Sequence, residues 1–274
     1  RKPRRFARRG ALAAAGPAAC RREVLCRDAV AWLEETPPCG LPPGSCVITG
    51  VPDIHEVDPE SRMGFKGWRE WFGKVVELIL SRLPKDGVAI FMQTDVKAPE
   101  GGAQRGRAKA GGYWEWVDKA HLVLSAAERV PGARLLWHKV VVSEARCAEG
   151  GGRSSGVAGF SHLLCLTTGG AAEAQGLAPF PDVVRKGLAT WISGSGAQEA
   201  ARACGYARER GCSLVVDPFC GEGAVLAVAN AMGLPALGVE LCSKRAKAAQ
   251  VLDGERLLAA DRCEQAGLEY GPDV

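Results

Sequence analysis

The chain has 274 residues, 47% of them hydrophobic and 24% charged, with a formal net charge of +4 and a pI of about 8.5. A mean hydropathy of −0.03 and the lack of an apolar run of spanning length argue against a transmembrane helix. Eleven cysteines with no Cys-x-x-Cys pair, and four scattered histidines, argue against a disulfide framework and against a metal site, and suit a reducing, intracellular compartment.

Charge is uneven at the start. Arg1, Lys2, Arg4, Arg5, Arg8, Arg9, Arg21 and Arg22 all precede the first acid, Glu23. Residues 1–21 are expected to form a flexible basic extension, and two readings of it stand. It is an arm that touches phosphates, or the remnant of an Arg-rich transit peptide for a mitochondrion or plastid. Residues 22–274 are expected to form a single domain. Residues 22–26 read as a strand and 28–35 as a helix with Val30, Trp32 and Leu33 on its apolar side. A proline- and glycine-rich turn leads to a buried strand over 45–49 and then to Gly50-Val51-Pro52-Asp53. Helical spacing of Trp71, Phe72, Val75, Val76, Ile79 and Leu80 predicts a helix over 68–83, with Trp68 and Trp71 in the core. A strand follows over 88–92, then a basic glycine-rich loop over 98–112, a helix over 117–130, and strands over 133–142 and 161–167. His138 and His162 read as structural histidines within strands. Residues 198–210 form a further helix. Short apolar runs alternating with helices predict a parallel sheet covered on both faces.

The C-terminal quarter carries the strongest signal. Residues 213–223 read Ser-Leu-Val-Val-Asp-Pro-Phe-Cys-Gly-Glu-Gly: a buried strand, an acid at its end (Asp217), a glycine turn (Gly221, Gly223) and an apolar helix from Ala224. Glycine admits turn angles that side chains forbid and lets backbone approach a ligand. Leu237-Gly238-Val239-Glu240 then gives a second strand ending in an acid, a position that can hold two ribose hydroxyls. A last helix is expected over 243–252.

These two segments resemble motifs I and II of S-adenosylmethionine-dependent methyltransferases, and Asp-Pro-Phe-Cys-Gly-x-Gly is similar to the form found in nucleic-acid methyltransferases. The step Arg27-Asp28-Ala29 resembles the family's Gly-Asp-Ala, whose acid reaches the adenine amine. Gly50-Val51-Pro52-Asp53 falls where motif IV belongs. Moving the segment from residue 213 to the front restores the usual order, so the chain resembles the circularly permuted class that contains many bacterial DNA amino-methyltransferases. The resemblance implies a Rossmann-like class I α/β fold, permuted, with a mostly parallel seven-stranded sheet. It implies S-adenosyl-L-methionine as cofactor, held by Asp217, Pro218, Phe219, Gly221, Gly223, Glu240, Asp28 and Thr49.

One departure bears on the chemistry. Motif IV in the family is Asp/Asn/Ser-Pro-Pro-Tyr/Phe; here its polar first residue is Gly50 and its aromatic is Asp53. Pro52, through its carbonyl, and Asp53, by taking a proton or holding an amine, are the catalytic candidates. A plain turn is the alternative. Ligands of parallel sheets lie at the carboxyl ends of strands, which selects Gln93, Asp95 and Lys97 for the substrate, with Arg105, Arg107 and Lys109 for phosphates. The basic segments favour nucleic acid. Structured RNA (tRNA or rRNA) is preferred, because no insert is large enough for a DNA target-recognition domain. DNA amino-methylation is the alternative, followed by a small-molecule or protein acceptor and by a non-catalytic interaction subunit.

Overall fold

The computed structural model describes residues 20–58, 60, 62–99, 114–143, 158–169, 180–190 and 194–269. Most of the basic extension, and Arg105, Arg107 and Lys109, lie outside the described residues. The elements in chain order are β1 (Arg22–Cys26), α1 (Ala29–Glu35), β2 (Ser45–Thr49), α2 (Ile54–Val57), α3 (Gly64–Arg82), β3 (Val88–Gln93), β4 (Val96–Pro99) and β5 (Trp114–Val117). Then come α4 (Lys119–Ala127), β6 (Arg134–Val142), β7 (Phe160–Thr167), β8 (Val183–Arg185), α5 (Ala197–Glu209), β9 (Leu214–Asp217), α6 (Ala224–Ala231), β10 (Ala236–Glu240), α7 (Ser243–Val251) and α8 (Gly254–Glu269). Among the described residues no helix is long and apolar enough to cross a membrane.

Eight strands form the main sheet in the order β1-β10-β9-β2-β3-β7-β6-β8, one more than the seven expected. The extra strand, β8, has three residues, too few to show a pattern in sequence. β1, β10, β9, β2 and β3 run parallel, β7 runs antiparallel to β3 and β6, and β8 runs parallel to β6. The sheet is therefore mixed. β2 and β3 are buried at every position, as continuous apolar runs between two helical layers should be. Cys46, Ile48, Ile90 and Leu163 face one core with Ala200, Cys204 and Leu226. Val47, Phe91 and Leu164 face the other with Trp68, Phe72, Val76 and Val123.

Three expectations need correction. The helix expected over 117–130 is shorter, Lys119–Ala127, because Val117 ends a strand, Trp114–Val117, that pairs antiparallel with Val96–Pro99 as a separate two-stranded sheet. Asp118 then caps α4, its carboxylate accepting the His121 N–H at 2.9 Å, and the extended backbone of a cap ends the strand there. The terminal helix α8 was not anticipated from the sequence; it begins at Gly254, after Asp253 accepts the Arg256 N–H at 3.0 Å. Arg22 is structural rather than a phosphate contact. Its guanidinium donates to the Ala249 and Leu252 carbonyls at 2.9 and 2.7 Å, and to Asn230 at 2.7 Å. It thereby ties β1 to the carbonyl end of α7, where a cation is favoured.

Gly254 sits where a side-chain carbon would collide with the backbone carbonyl of Ala227 on α6. Gly254→Ala must push α8 off α6, and a loss of about 1–3 kcal/mol is expected from such overpacking. Denaturant unfolding checks this; an unchanged midpoint would show that α8 is not packed on α6 in solution.

Candidate active site

The parallel strands bring their carboxyl ends to one edge of the sheet, where such folds bind ligands. Asp217 ends β9 and is 3% exposed. The Thr49 hydroxyl, at the end of the neighbouring β2, donates to Asp217 Oδ1 at 2.6 Å, and the Phe219 N–H donates to the same oxygen at 3.1 Å. Burial pushes the Asp217 carboxyl up to about 7; these two donors oppose the rise and nearby Glu240 adds to it. Thr49 and Phe219 thus hold Asp217 in place. The Phe219 ring itself packs edge-on against Trp71, 6.3 Å between centroids, which puts it on the core side.

The two glycines of the turn do different work. Gly221 has φ +53° and nothing within 4 Å of where a side chain would start, so its backbone is open to a ligand. Gly223, with φ +83°, faces α7: a side-chain carbon there would lie 2.7 Å from the Ala249 Cα. Its missing side chain makes room for α7. Pro218 lies in the turn before Gly221. Glu240 ends β10 beside β9, its Oε2 accepting the Gly221 N–H at 3.1 Å and its Oε1 the Cys242 N–H at 2.7 Å. An ionised carboxylate offers about four acceptor positions, so room remains for hydroxyls. Asp28 follows β1, is exposed, and caps α1 by accepting the Ala31 N–H at 2.8 Å.

On the other side of the edge, the 50–53 loop is bound by the chain's own donors. The buried Lys119 at the start of α4 places its ammonium 2.7 Å from Asp53 Oδ1 and 2.9 Å from the Val51 carbonyl, over the Phe72 ring. The Trp68 indole N–H donates to the Pro52 carbonyl at 3.3 Å. Asp53 also leads into α2, with its N–H donating to Glu56 at 3.1 Å. The turn reading and the site reading of Asp53 therefore both apply to its geometry. Lys119 was missed in the sequence. The available signal was a lysine placed directly after a capping Asp, where the helix dipole disfavours a cation.

Asp95, after β3, is 4% exposed and gathers three further elements. It accepts the Lys119 N–H at 2.9 Å, the Trp116 indole N–H at 2.9 Å and His162 Nε2 at 3.2 Å, and His162 Nδ1 lies 3.0 Å from Nε2 of the exposed His138. Burial alone would raise the Asp95 carboxyl, but the donors His162, Lys119 and Trp116 outweigh it and hold it below the usual range. Burial and the neighbouring His162 lower His138. The histidines are thus structural in the sense expected, and also a chain from the surface to Asp95. Asp95, Asp118 and His162 bring one ligand atom each within 4.8 Å of one another, a grouping of cation-ligand type that the sequence reading did not foresee. Asp95, however, already serves three donors. Gln93, at the end of β3 and 1% exposed, has neither amide atom bonded among the described residues. Lys97 stands opposite Trp116 in the β4–β5 register.

No family model matches the chain, and no curated protein matches it closely. Solved structures do. TTHA0409 of Thermus thermophilus, a candidate DNA modification methylase in complex with S-adenosyl-L-methionine, superposes with a TM-score of 0.57 at 16% identity, over 88% of this chain and 94% of that one. The PvuII cytosine-N4-specific DNA methyltransferase gives 0.55 at 12% identity, over 90% and 93%. The M1.HpyAVI complex with the same cofactor gives 0.50 at 10%, over 84% and 98%. At such identities the likeness is one of fold: the chain has the class I methyltransferase fold.

Between about pH 4 and about pH 7 folded Asp217 keeps a proton that the unfolded chain releases, so its burial lowers stability as pH rises through that window. Asp217→Asn should flatten this slope and raise the melting temperature at pH 8. Thermal melts from pH 5 to 8 check it; an unaltered slope would assign the titration elsewhere.

Proposed function

We propose that the chain is an S-adenosylmethionine-dependent methyltransferase acting on nucleic acid, with DNA the leading acceptor. The observation that carries the reading is the Gly221 turn: an open, positive-φ backbone cradle with Asp217 on one side and Glu240 bonded to its N–H. These residues fit the cofactor. Glu240 has acceptor capacity for ribose hydroxyls, Gly221 gives backbone access, and the half-ionised Asp217 suits a cationic methionine end. The strand order supports the permuted reading, since β9 and β10 lie between β1 and β2. Cofactor binding next to Asp217 is expected to release a proton near pH 7, seen in calorimetry as heats that vary with buffer ionisation enthalpy.

The preference for RNA is given up. It rested on the lack of a large inserted recognition domain. Yet this chain covers 93% of the PvuII enzyme and 94% of TTHA0409, so its size does not argue against DNA.

The cofactor supplies an activated methyl group on a sulfonium. The chain must then align an acceptor and take its proton. Asp53 does the second: it is 34% exposed on its side chain, while the ammonium of Lys119 fixes one of its oxygens. Pro52 shapes the loop, with its carbonyl held by Trp68. Methyl-label transfer from cofactor to separated DNA, RNA, protein and small-molecule fractions tests the acceptor, and label confined to the last two would overturn it. Asp53→Asn should cut turnover roughly a hundredfold while cofactor affinity stays within about threefold. Turnover near wild type would reduce Asp53 to a turn residue.

A further inference from the structure

A tryptophan and a phenylalanine are partly exposed at one end of the hydrogen-bonded unit that runs through Asp95 and Lys119 to Asp53. Trp116 on β5 is 47% exposed and Phe160 at the start of β7 is 37% exposed. Their rings stack, 6.3 Å between centroids and 24° between planes. Neither ring swings freely. The Trp116 indole N–H is fixed to Asp95 at 2.9 Å. The Phe160 ring stands edge-on to His162, 5.3 Å between centroids, and His162 is bonded to the same Asp95. Asp95 also holds the N–H of Lys119, whose ammonium holds Asp53. One carboxylate therefore sets both the aromatic pair and the loop proposed to take the proton.

Exposed aromatic faces held in a fixed orientation lose little entropy on binding a flat ligand. We propose that Trp116 and Phe160 form a stacking platform for an unpaired nucleobase of the acceptor strand. The proposal rests on the nucleic-acid reading above and adds how the strand is gripped next to Asp53.

Charge and area both select this occupant. β5 is joined to β4 by residues 100–113, whose sequence carries Arg105, Arg107 and Lys109 against a single acid, Glu100. That balance favours a phosphate backbone. An aromatic side chain buries roughly 150–250 Å² when fully covered. Two half-covered rings therefore fall well short of the about 800 Å² per partner of a stable protein interface. A nucleobase needs only a ring face, and stacking accepts every base. The platform also supplies an aromatic surface to a site whose 50–53 loop has Asp53 in place of an aromatic.

The test is fluorescence anisotropy of the full chain with a labelled single-stranded DNA and its matching duplex, in the presence of S-adenosylhomocysteine. The wild type should prefer the single strand. Trp116→Ala and Phe160→Ala should each weaken that binding about tenfold. Trp116→Phe, which keeps a ring but loses the indole N–H that fixes it to Asp95, should bind between the wild type and Trp116→Ala. Calorimetric affinity for S-adenosylhomocysteine should be unchanged in all three, which also shows that they fold. If the wild type binds the strand and the alanine variants bind it equally well, the platform is wrong and the nucleic-acid reading survives. If the wild type binds no nucleic acid, both fall, with cofactor affinity left as a separate result. If the alanine variants instead abolish self-association in sedimentation, the rings pack a second copy and the platform is overturned.

Discussion

Burying a carboxylate is costly unless donors converge on it, and this sheet buries several acids at one edge. Asp217 and Asp95 are almost equally buried, at 3% and 4% exposure, yet their acidities move in opposite directions. The donors decide. Asp217 has a hydroxyl and one backbone N–H, with Glu240 adding negative charge nearby, so its proton is retained to about pH 7. Asp95 has an imidazole, an indole and a backbone N–H, and remains ionised. The edge thus has one half whose charge answers to a cation and another whose charge is already spent on architecture.

That difference explains why the two halves were unequally legible in the sequence. The Asp217–Gly223 turn and Glu240 lie in one short stretch, and each is defined by local geometry: a strand end, a left-handed glycine, a helix start. Local rules read such features. The acceptor half is assembled from β2, β3, β5, α4 and β7, elements far apart in the chain, and nothing local announces that Lys119 will meet Asp53 or that His162 will meet Asp95. The helix expected over 117–130 shows the same limit. Alternation in Trp114-Glu115-Trp116-Val117 is a strand signal left unassigned, with only its last residue taken into the expected helix behind it. Gly223 was legible from its place in the motif, but the packing reason for its missing side chain, the approach of Ala249, was not.

The pairing of Lys119 with Asp53 is a costly arrangement. A lysine ammonium at the first position of a helix lies at the positive end of the dipole, and its side chain is only 4% exposed. It is tolerated because the Val51 carbonyl, the Asp53 carboxylate and the face of Phe72 surround it. The return is rigidity. The 50–53 loop contains no regular hydrogen-bonded structure before α2, and without the ammonium its backbone carbonyl would face the protein interior alone.

This internal cation also changes what the loop can offer an acceptor. In a loop of free carbonyls, an incoming amine would find several hydrogen-bond acceptors at once. Here the Val51 and Pro52 carbonyls already receive an ammonium and an indole N–H, and one oxygen of Asp53 is bound as well. Each oxygen keeps a second lone pair, but its direction is then fixed by the first bond. On the reading proposed above, an acceptor would be oriented by fewer and more rigid contacts at its reacting group. More of its positioning has to come from surfaces outside the loop. Trp116 and Phe160 provide such a surface within the same hydrogen-bonded unit, since the carboxylate that anchors the indole also anchors the helix that carries Lys119.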